Sequence, residues 1–192
     1  MRHRLLTLIL FLALPAIANA ATIVATVRDS RGIGVPDAVV YAVPERTASP
    51  SRKTAIMDQR NRMFVPHVLP IQTGTSVRFP NSDDIRHQVY SFSPAKPFQL
   101  PLYKGTPANP VVFDQAGVVT LGCNIHDRMS AYIVIVDTPH FEKSGADGRV
   151  TLNVPSGKYT VRVWYPSMRS EPAPIPMTAG ASDRNEVVFT VR

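Results

Sequence analysis

The stretch VVTLGCNIHDRMSAYIVIVD, residues 118–137, places two apolar segments on either side of a short polar loop. The segments Val118–Leu121 and Tyr132–Asp137 are rich in β-branched residues, which favours strands. Residues 132–136 have no charged side chain, so this strand is predicted to lie inside the protein with both faces covered. The loop between the two strands carries a thiol, an imidazole and a thioether, which belong to Cys123, His126 and Met129.

The rest of the chain continues this β pattern. It contains 18 prolines, and no stretch after the first twenty residues has an apolar stripe of helical period. Short alternating segments separated by turn residues predict an all-β protein with a sandwich architecture. The remaining candidate strands are Thr22–Arg28, Ala38–Val43, Thr54–Asp58, Val68–Thr73, Ser76–Phe79, Gln88–Phe92, Val111–Phe113, Arg149–Val154, Lys158–Tyr165 and Glu186–Arg192. Pro166–Pro176 is predicted to be a loop or an edge segment, because proline cannot donate to an interior ladder.

Two styles of sequence alternate along the chain. VRDSRGIGVPDAVVYAV (27–43) and GADGRVTLNVPSGKYTVRVWYP (145–166) resemble the first hairpin and the later strands of a carboxypeptidase-regulatory-like, or transthyretin-like, β-sandwich. We therefore predict a discontinuous sandwich formed by residues 21–47 and 138–192, with a second small β-domain, residues 48–137, inserted or fused. The alternative is a single larger sandwich that uses all the strands.

The first twenty residues have the three parts of a secretory signal. Arg2 and Arg4 precede an apolar run from Leu5 to Leu14, and Ala18-Asn19-Ala20 fits a small-residue cleavage site. The run is too short to span a bilayer, so we expect cleavage after Ala20 and a periplasmic or secreted protein without stable membrane insertion. An uncleaved anchor is the alternative.

Charge and cysteine content further limit the functions and partners that the protein can have. The chain has 21 basic and 14 acidic residues, a formal net charge of +7, and removing Arg2 and Arg4 leaves 19 against 14, or +5. The basic residues are scattered and form no run, which argues against a nucleic-acid partner. An exported protein meets oxidising conditions, yet Cys123 is the only cysteine. Its thiol is therefore either a buried core group or a functional one.

The neighbours of Cys123 favour function. Thiolate, imidazole and thioether in one loop, Cys123-Asn-Ile-His126-Asp-Arg-Met129, form a soft ligand set. Two histidines, a cysteine and a weak axial methionine are the ligands of blue-copper electron-transfer sites. His87 stands between the turn-like residues 81–84 and a predicted strand, and is the candidate for the second imidazole. A structural zinc site is the weaker alternative, since methionine is a poor zinc ligand.

The segment Met63–Val136 resembles a cupredoxin of the amicyanin/plastocyanin type. The Cys-x₂-His-x₂-Met spacing is similar to the short ligand loop of amicyanins, and the order of Phe64-Val-Pro66, Gly74-Thr-Ser-Val77, Phe79 and His87-Gln-Val89 follows the family. The resemblance covers residues 52–137 and implies a Greek-key β-sandwich. One departure is Gln88, where many cupredoxins have an asparagine that ties the two ligand loops together.

The resemblance also implies a site and a function. His87 and His126 would be the imidazole ligands, Cys123 the thiolate ligand and Met129 the weak axial donor of one type 1 copper ion. The protein would carry single electrons between redox partners such as a c-type cytochrome or a dehydrogenase. Exported cupredoxin-like proteins with a carboxypeptidase-regulatory-like segment, sometimes called methylamine-utilisation proteins, look similar overall.

The sequence also bears on three other functions: catalysis, copper storage or delivery, and glycan binding. No nucleophile elbow, phosphate loop or zinc-protease motif occurs, and nothing marks a pair of catalytic carboxylates, so we expect no enzyme activity. A protein that stores or delivers copper would use the same four ligands. An envelope glycan-binding module would use Trp164, although packing in the core is the first expectation for that side chain. His67 and His140 are expected to be surface and linker residues and not ligands.

Overall fold

The computed structural model describes residues 20–46, 48–107, 109–126, 128–181 and 185–191. These residues form seventeen strands and no helix, which confirms the predicted all-β class. The strands are β1 Ala20–Asp29, β2 Val39–Pro44, β3 Thr54–Ile56, β4 Asp58–Arg60, β5 Met63–Val65, β6 Val68–Gln72, β7 Thr75–Arg78, β8 His87–Ser91, β9 Phe98–Tyr103, β10 Val111–Phe113, β11 Gly117–Gly122, β12 Ser130–Val136, β13 Phe141–Lys143, β14 Arg149–Pro155, β15 Gly157–Trp164, β16 Ile175–Ala179 and β17 Asn185–Val191.

Ala20 is the only residue of the predicted signal that the structure describes. Residues 1–19 of the predicted signal lie outside the described residues. Ala20, at the predicted cleavage site, is the exposed first residue of β1, and Ala21 is the first buried one. None of the described residues belongs to a helix able to cross a lipid bilayer. The signal and its cleavage after Ala20 stay predictions.

The two ends of the chain build one sandwich, which we call the terminal sandwich. Its sheets have the strand orders β14-β1-β17 and β13-β2-β15-β16. Strands β14 and β17 alternate strictly between exposed and buried residues, as expected of strands with one face in a core and one in water. Side chains from both sheets, such as Ile23, Val40, Leu152, Val161 and Phe189, form one apolar cluster. Burial of this cluster holds the two sheets together.

The middle of the chain builds a second sandwich, which we call the central sandwich. Its sheets have the orders β6-β12-β11-β8-β9 and β10-β7-β3, and the hairpin β4-β5 lies beside them. Its core cluster contains Phe79, Phe113, Leu121 and Ile133, together with Met57. The domain boundaries predicted at residues 48 and 137 stay a prediction.

A third apolar cluster lies between the two sandwiches. It consists of Val39, Val68, Val134, Val136 and Trp164. Strand β12 contributes alternate side chains to this cluster and to the core of the central sandwich. The sheet order places β12 between β6 and β11. The prediction of an interior strand at residues 132–136 is therefore confirmed, and the contact between sandwiches explains why both of its faces are apolar.

Five strands were not predicted, for two physical reasons. Strands β4, β5 and β13 have only three residues each and at most one β-branched residue, whereas the equally short β3 and β10 have two. Strands β9 and β16 contain Pro101 and Pro176 and lie at sheet edges. Proline is tolerated at an edge because no further strand needs its missing N–H. Pro176 thus fits the edge alternative for residues 166–176.

Trp164 gives a test of the contact between the sandwiches. Its indole is 9% exposed and its ring centroid lies 5.2 Å from that of Tyr132. We expect Trp164→Ala to lower the free energy of unfolding by about 3 kcal/mol, as for other buried large-to-small changes. Urea denaturation followed by far-ultraviolet circular dichroism measures this, since the variant has no tryptophan. Val188→Ala, at a side chain that is 48% exposed, should change stability by less than about 0.5 kcal/mol. Equal effects of the two substitutions would contradict this packing.

Candidate metal centre

Two neighbouring strands bring the candidate ligands to one end of the central sandwich. Strands β8 and β11 are antiparallel, and Tyr90 pairs with Gly122. His87 is the first residue of β8, and Cys123 directly follows the last residue of β11. In antiparallel strands the start of one lies beside the end of the other, so the two side chains meet.

The ligand loop folds back twice between β11 and β12. The amide of His126 donates to the carbonyl of Cys123 at 3.4 Å, and the amide of Met129 donates to the carbonyl of His126 at 2.9 Å. Each turn spans three residues, which equals the spacing between the three candidate ligands. The loop thereby keeps Cys123, His126 and Met129 at the same end of the sandwich.

Three of the four predicted ligands converge in space. One ligand atom each from His87, Cys123 and His126 lies within 4.8 Å of the other two. His87 and Cys123 are buried, and His126 is half-buried. The two imidazole centroids are 5.0 Å apart. Met129 is buried with Cys123 in the core cluster of the central sandwich.

Each of the two histidine rings has a nitrogen without a hydrogen-bond partner among the described residues. Among the described residues, the buried Nδ1 atoms of His87 and His126 have no hydrogen-bond partner. Nε2 of His87 instead lies 2.7 Å from a carboxylate oxygen of Asp83. A buried polar atom without a partner costs about 1–3 kcal/mol, so two beside one thiol call for an explanation. A metal ion bound by both nitrogens and the sulfur supplies one.

The dimensions of the cluster fit such an ion. A metal that bonds nitrogen at about 2.0 Å and sulfur at about 2.3 Å needs its donors within about 4.4 Å of one another. The 4.8 Å limit observed here requires only small side-chain adjustments. Thiolate, imidazole and a neighbouring thioether favour copper over hard cations such as Mg²⁺ or Ca²⁺. Binding of copper by these residues stays a prediction.

Asp83 orients His87 and is itself held by a tight turn. Its carboxylate accepts hydrogen bonds from the amides of Asn61 and Arg62, at 2.7 and 2.9 Å. Both turn residues have positive φ, 56° and 59°, so their amides point the same way. Burial alone would raise the pKa of Asp83, but the Arg62 amide, the His87 ring and the Asn61 amide outweigh it and lower that pKa. Asp83 is therefore the charged acceptor that fixes Nε2 of His87 as the protonated nitrogen.

A second set of polar contacts fixes the loop that precedes His87. The side-chain nitrogen of Asn81 donates to the carbonyls of Ile85 and Tyr103, both at 2.8 Å. Its side-chain oxygen accepts from the amide of Asp83 at 3.1 Å. The hydroxyl of Tyr103 donates to the carbonyl of Phe79, and burial raises the pKa of this tyrosine to about 12. The hydroxyl thus stays protonated and keeps its role as donor.

Within the described part of the chain, Gln88 does not join the two ligand loops through its side chain. The side chain is buried, but it forms no hydrogen bond with the described residues of the ligand loop. The register between β8 and β9 shifts here, from His87↔Tyr103 to Val89↔Leu100. Between these two pairs, β9 has one residue more than β8, in the segment that contains Pro101. Bulges of this kind often occur beside functional sites.

The other candidate residues lie away from this cluster. The exposed His67 packs edge-on against Tyr132, at 5.5 Å between ring centroids. The ring of His140 packs against Tyr159 in the terminal sandwich. Trp164 is largely buried and packs against Tyr132, as expected of a core side chain.

The sequence does not reveal the residues that support the site. Asn81 and Asp83 both fall in the predicted turn at residues 81–84, with no role for either side chain, and Tyr103 has no predicted role. The only signal for Asp83 is its position four residues before His87, and Asp84 beside it carries the same side chain. Contacts with the β4-β5 hairpin distinguish the two, and those contacts are not visible in the sequence.

Comparisons with known proteins give structural neighbours only. No protein-family model matches the chain, and no curated protein matches it significantly. A copper-containing nitrite reductase from Thermus scotoductus is similar to 48% of this chain at 22% identity, with a TM-score of 0.41. A purple cupredoxin from Nitrosopumilus maritimus is similar to 43% of it at 21% identity, with a TM-score of 0.38. An amicyanin variant holding Cu(I) is similar to 50% of it at 17% identity, with a TM-score of 0.40.

The lengths of these neighbours differ greatly. The chain spans 26% of the nitrite reductase, 99% of the purple cupredoxin and 98% of the amicyanin variant. In each case about half of this chain is left unmatched.

Asp83 gives a test of the site's geometry. We expect Asp83→Asn to weaken copper affinity by about 10- to 100-fold, the usual effect of removing a carboxylate that orients a metal-binding histidine. Competition with a Cu(I) chelator measures the affinity. Asp84→Asn is the matched control, because Asp84 is the exposed neighbour of Asp83. Equal affinities of the two variants would mean that Asp83 does not orient His87.

Proposed function

We propose that the protein is an exported single-electron carrier with one type 1 copper ion held by His87, Cys123, His126 and Met129. The observation that carries this proposal is the pair of unpartnered Nδ1 atoms beside a buried cysteine. Bound copper would supply one-electron chemistry by changing between Cu(I) and Cu(II).

The protein residues supply a fixed, dry set of donors. Cys123 would bind as the thiolate, so metal binding releases its proton. His87 keeps its orientation through Asp83, and Met129 is held by the core of the central sandwich. A ligand set fixed by strands and buried side chains rearranges little, which suits rapid electron transfer. His126 is half-buried next to the exposed Ile125, so this ligand is the nearest to solvent.

The proposed domains, location and partners of the protein rest on the sequence analysis. The central sandwich would be a cupredoxin-type Greek-key domain covering residues 48–137, and residues 21–47 with 138–192 a carboxypeptidase-regulatory-like sandwich. The N-terminal segment would direct the chain to the periplasm or outside the cell. Electron exchange with a c-type cytochrome or a dehydrogenase, without enzyme activity, completes the proposal.

Cys123 gives the decisive test. The oxidised protein with one equivalent of copper should absorb visible light intensely, because a copper–thiolate bond has a strong charge-transfer transition. Cys123→Ser should abolish that absorption, and His87→Gln should greatly weaken copper binding. His67→Gln, at an exposed histidine outside the cluster, should leave the spectrum unchanged. Optical and EPR spectra with metal analysis measure all three. A wild-type protein that stays colourless and metal-free after Cu(II) addition would rule the proposal out.

Met129 gives a separate test of the fourth proposed ligand. Met129→Leu should keep the visible absorption and raise the reduction potential, because losing a thioether donor destabilises Cu(II) more than Cu(I). Cyclic voltammetry measures the potential. An unchanged potential would show that Met129 is not a ligand. Slow or irreversible cycling of the wild-type protein would point instead to copper storage or delivery.

A further inference from the structure

The outer face of the five-stranded sheet is covered at one end only. Val134 and Val136 of β12 lie under the terminal sandwich, where Trp164 packs. The same face continues to the end near Cys123, where Tyr90 and Phe92 project. Phe92 is 82% exposed, the largest exposed fraction of any large apolar side chain in the described part of the chain.

An open cleft occupies this uncovered end. Its volume is about 580 Å³, and its lining includes Tyr90, Phe92, Thr120, Cys123 and Met129. Among the described residues, every one that lines the cleft is uncharged. Two candidate metal ligands therefore form part of the wall of a neutral, partly aromatic cleft. The volume is within the range of about 300–1,000 Å³ that is typical of small-molecule sites.

Gly122 brings an aromatic ring against the backbone next to Cys123. A Cβ atom at position 122 would lie 2.6 Å from Cζ of Tyr90, so the ring would have to move away. Glycine is thus required for the ring to rest on the chain immediately before the thiol. The Tyr90 and Phe92 centroids are 5.2 Å apart, with the planes tilted by 46°. The two rings thus extend from the surface to the residue before Cys123, and the hydroxyl end of Tyr90 lies nearest to that residue.

We propose that this cleft binds an uncharged aromatic reductant of the hydroquinone class, which donates electrons to the metal centre. The inference rests on the proposed function, because it needs a redox-active ion at Cys123. The uncharged lining disfavours ionic ligands, which would lose hydration without gaining a counter-charge. A neutral ring can pack against Tyr90 and Phe92, and the hydroxyls of Thr120 and Ser130 can bind its polar groups.

The reaction balances without a further reactant. Each oxidised protein accepts one electron from hydroquinone, and the reductant releases one proton to water per electron. Two oxidised protein molecules therefore convert one hydroquinone into one quinone, two reduced proteins and two protons. No atom is transferred to the protein.

Stopped-flow bleaching of the copper-loaded, oxidised full-length protein tests the proposal. The rate should saturate with hydroquinone. Phe92→Ala should raise the half-saturating concentration by about two- to tenfold, which corresponds to the binding free energy lost with one aromatic contact. Val188→Ala, at an exposed side chain of the terminal sandwich, should have no effect. Reduction by hexaammineruthenium(II), a charged complex, should be equal in all three proteins. A rate linear in hydroquinone, or unchanged by Phe92→Ala, would overturn the proposal.

Binding is measured separately from electron transfer. In the metal-free protein, the redox-inert 1,4-dimethoxybenzene should shift the NMR signals of Gly122 and Thr120, and anionic hydroquinone sulfonate should shift them far less. Equal shifts from both compounds, or none from either, would overturn a neutral aromatic site. If hexaammineruthenium(II) fails to reduce the protein, the proposed electron-carrier function is wrong. If only hydroquinone fails to reduce it, the proposed binding of hydroquinone in the cleft is wrong and the electron-carrier proposal is unaffected.

Discussion

The candidate site depends on the partners that the two ring nitrogens of the fully buried His87 find inside the protein. Water cannot reach the His87 ring, so each nitrogen needs a partner inside the protein. Asp83 binds Nε2, which leaves Nδ1 without a hydrogen-bond partner among the described residues, in a ring that clusters with Cys123 and His126. The amides of Asn61 and Arg62 hold Asp83 in turn. The β4-β5 hairpin, which has no candidate ligand of its own, is thereby part of the machinery that prepares the site.

The same sheet that carries the ligand loop also joins the two sandwiches. Strand β12 begins directly after Met129 and continues into the cluster around Trp164. Its side chains are buried on both faces, so the strand has little freedom to shift. The terminal sandwich therefore braces the loop that carries three of the four candidate ligands, although it contributes none of them.

The sequence predicts the β class and the donor set because both depend on local patterns. Alternating residues mark most strands, and the spacing of Cys123, His126 and Met129 within one loop is visible without a structure. The supporting contacts could not be predicted, because they join segments far apart in the chain. Asp83 accepts from amides more than twenty residues earlier, and only the fold distinguishes it from Asp84. Edge strands with proline, such as β16, likewise need the sheet to define them.

The pairing of β1 has a consequence for how the chain acquires its structure. Both neighbours of β1, β14 and β17, come from the last quarter of the sequence. The strand thus lacks both sheet partners until residues 149–191 have emerged, whereas all strands of the central sandwich lie between Thr54 and Val136. Contacts between distant residues form late because closing a long loop costs entropy. The middle of the chain can therefore fold first, and the two ends then close around an already formed neighbour.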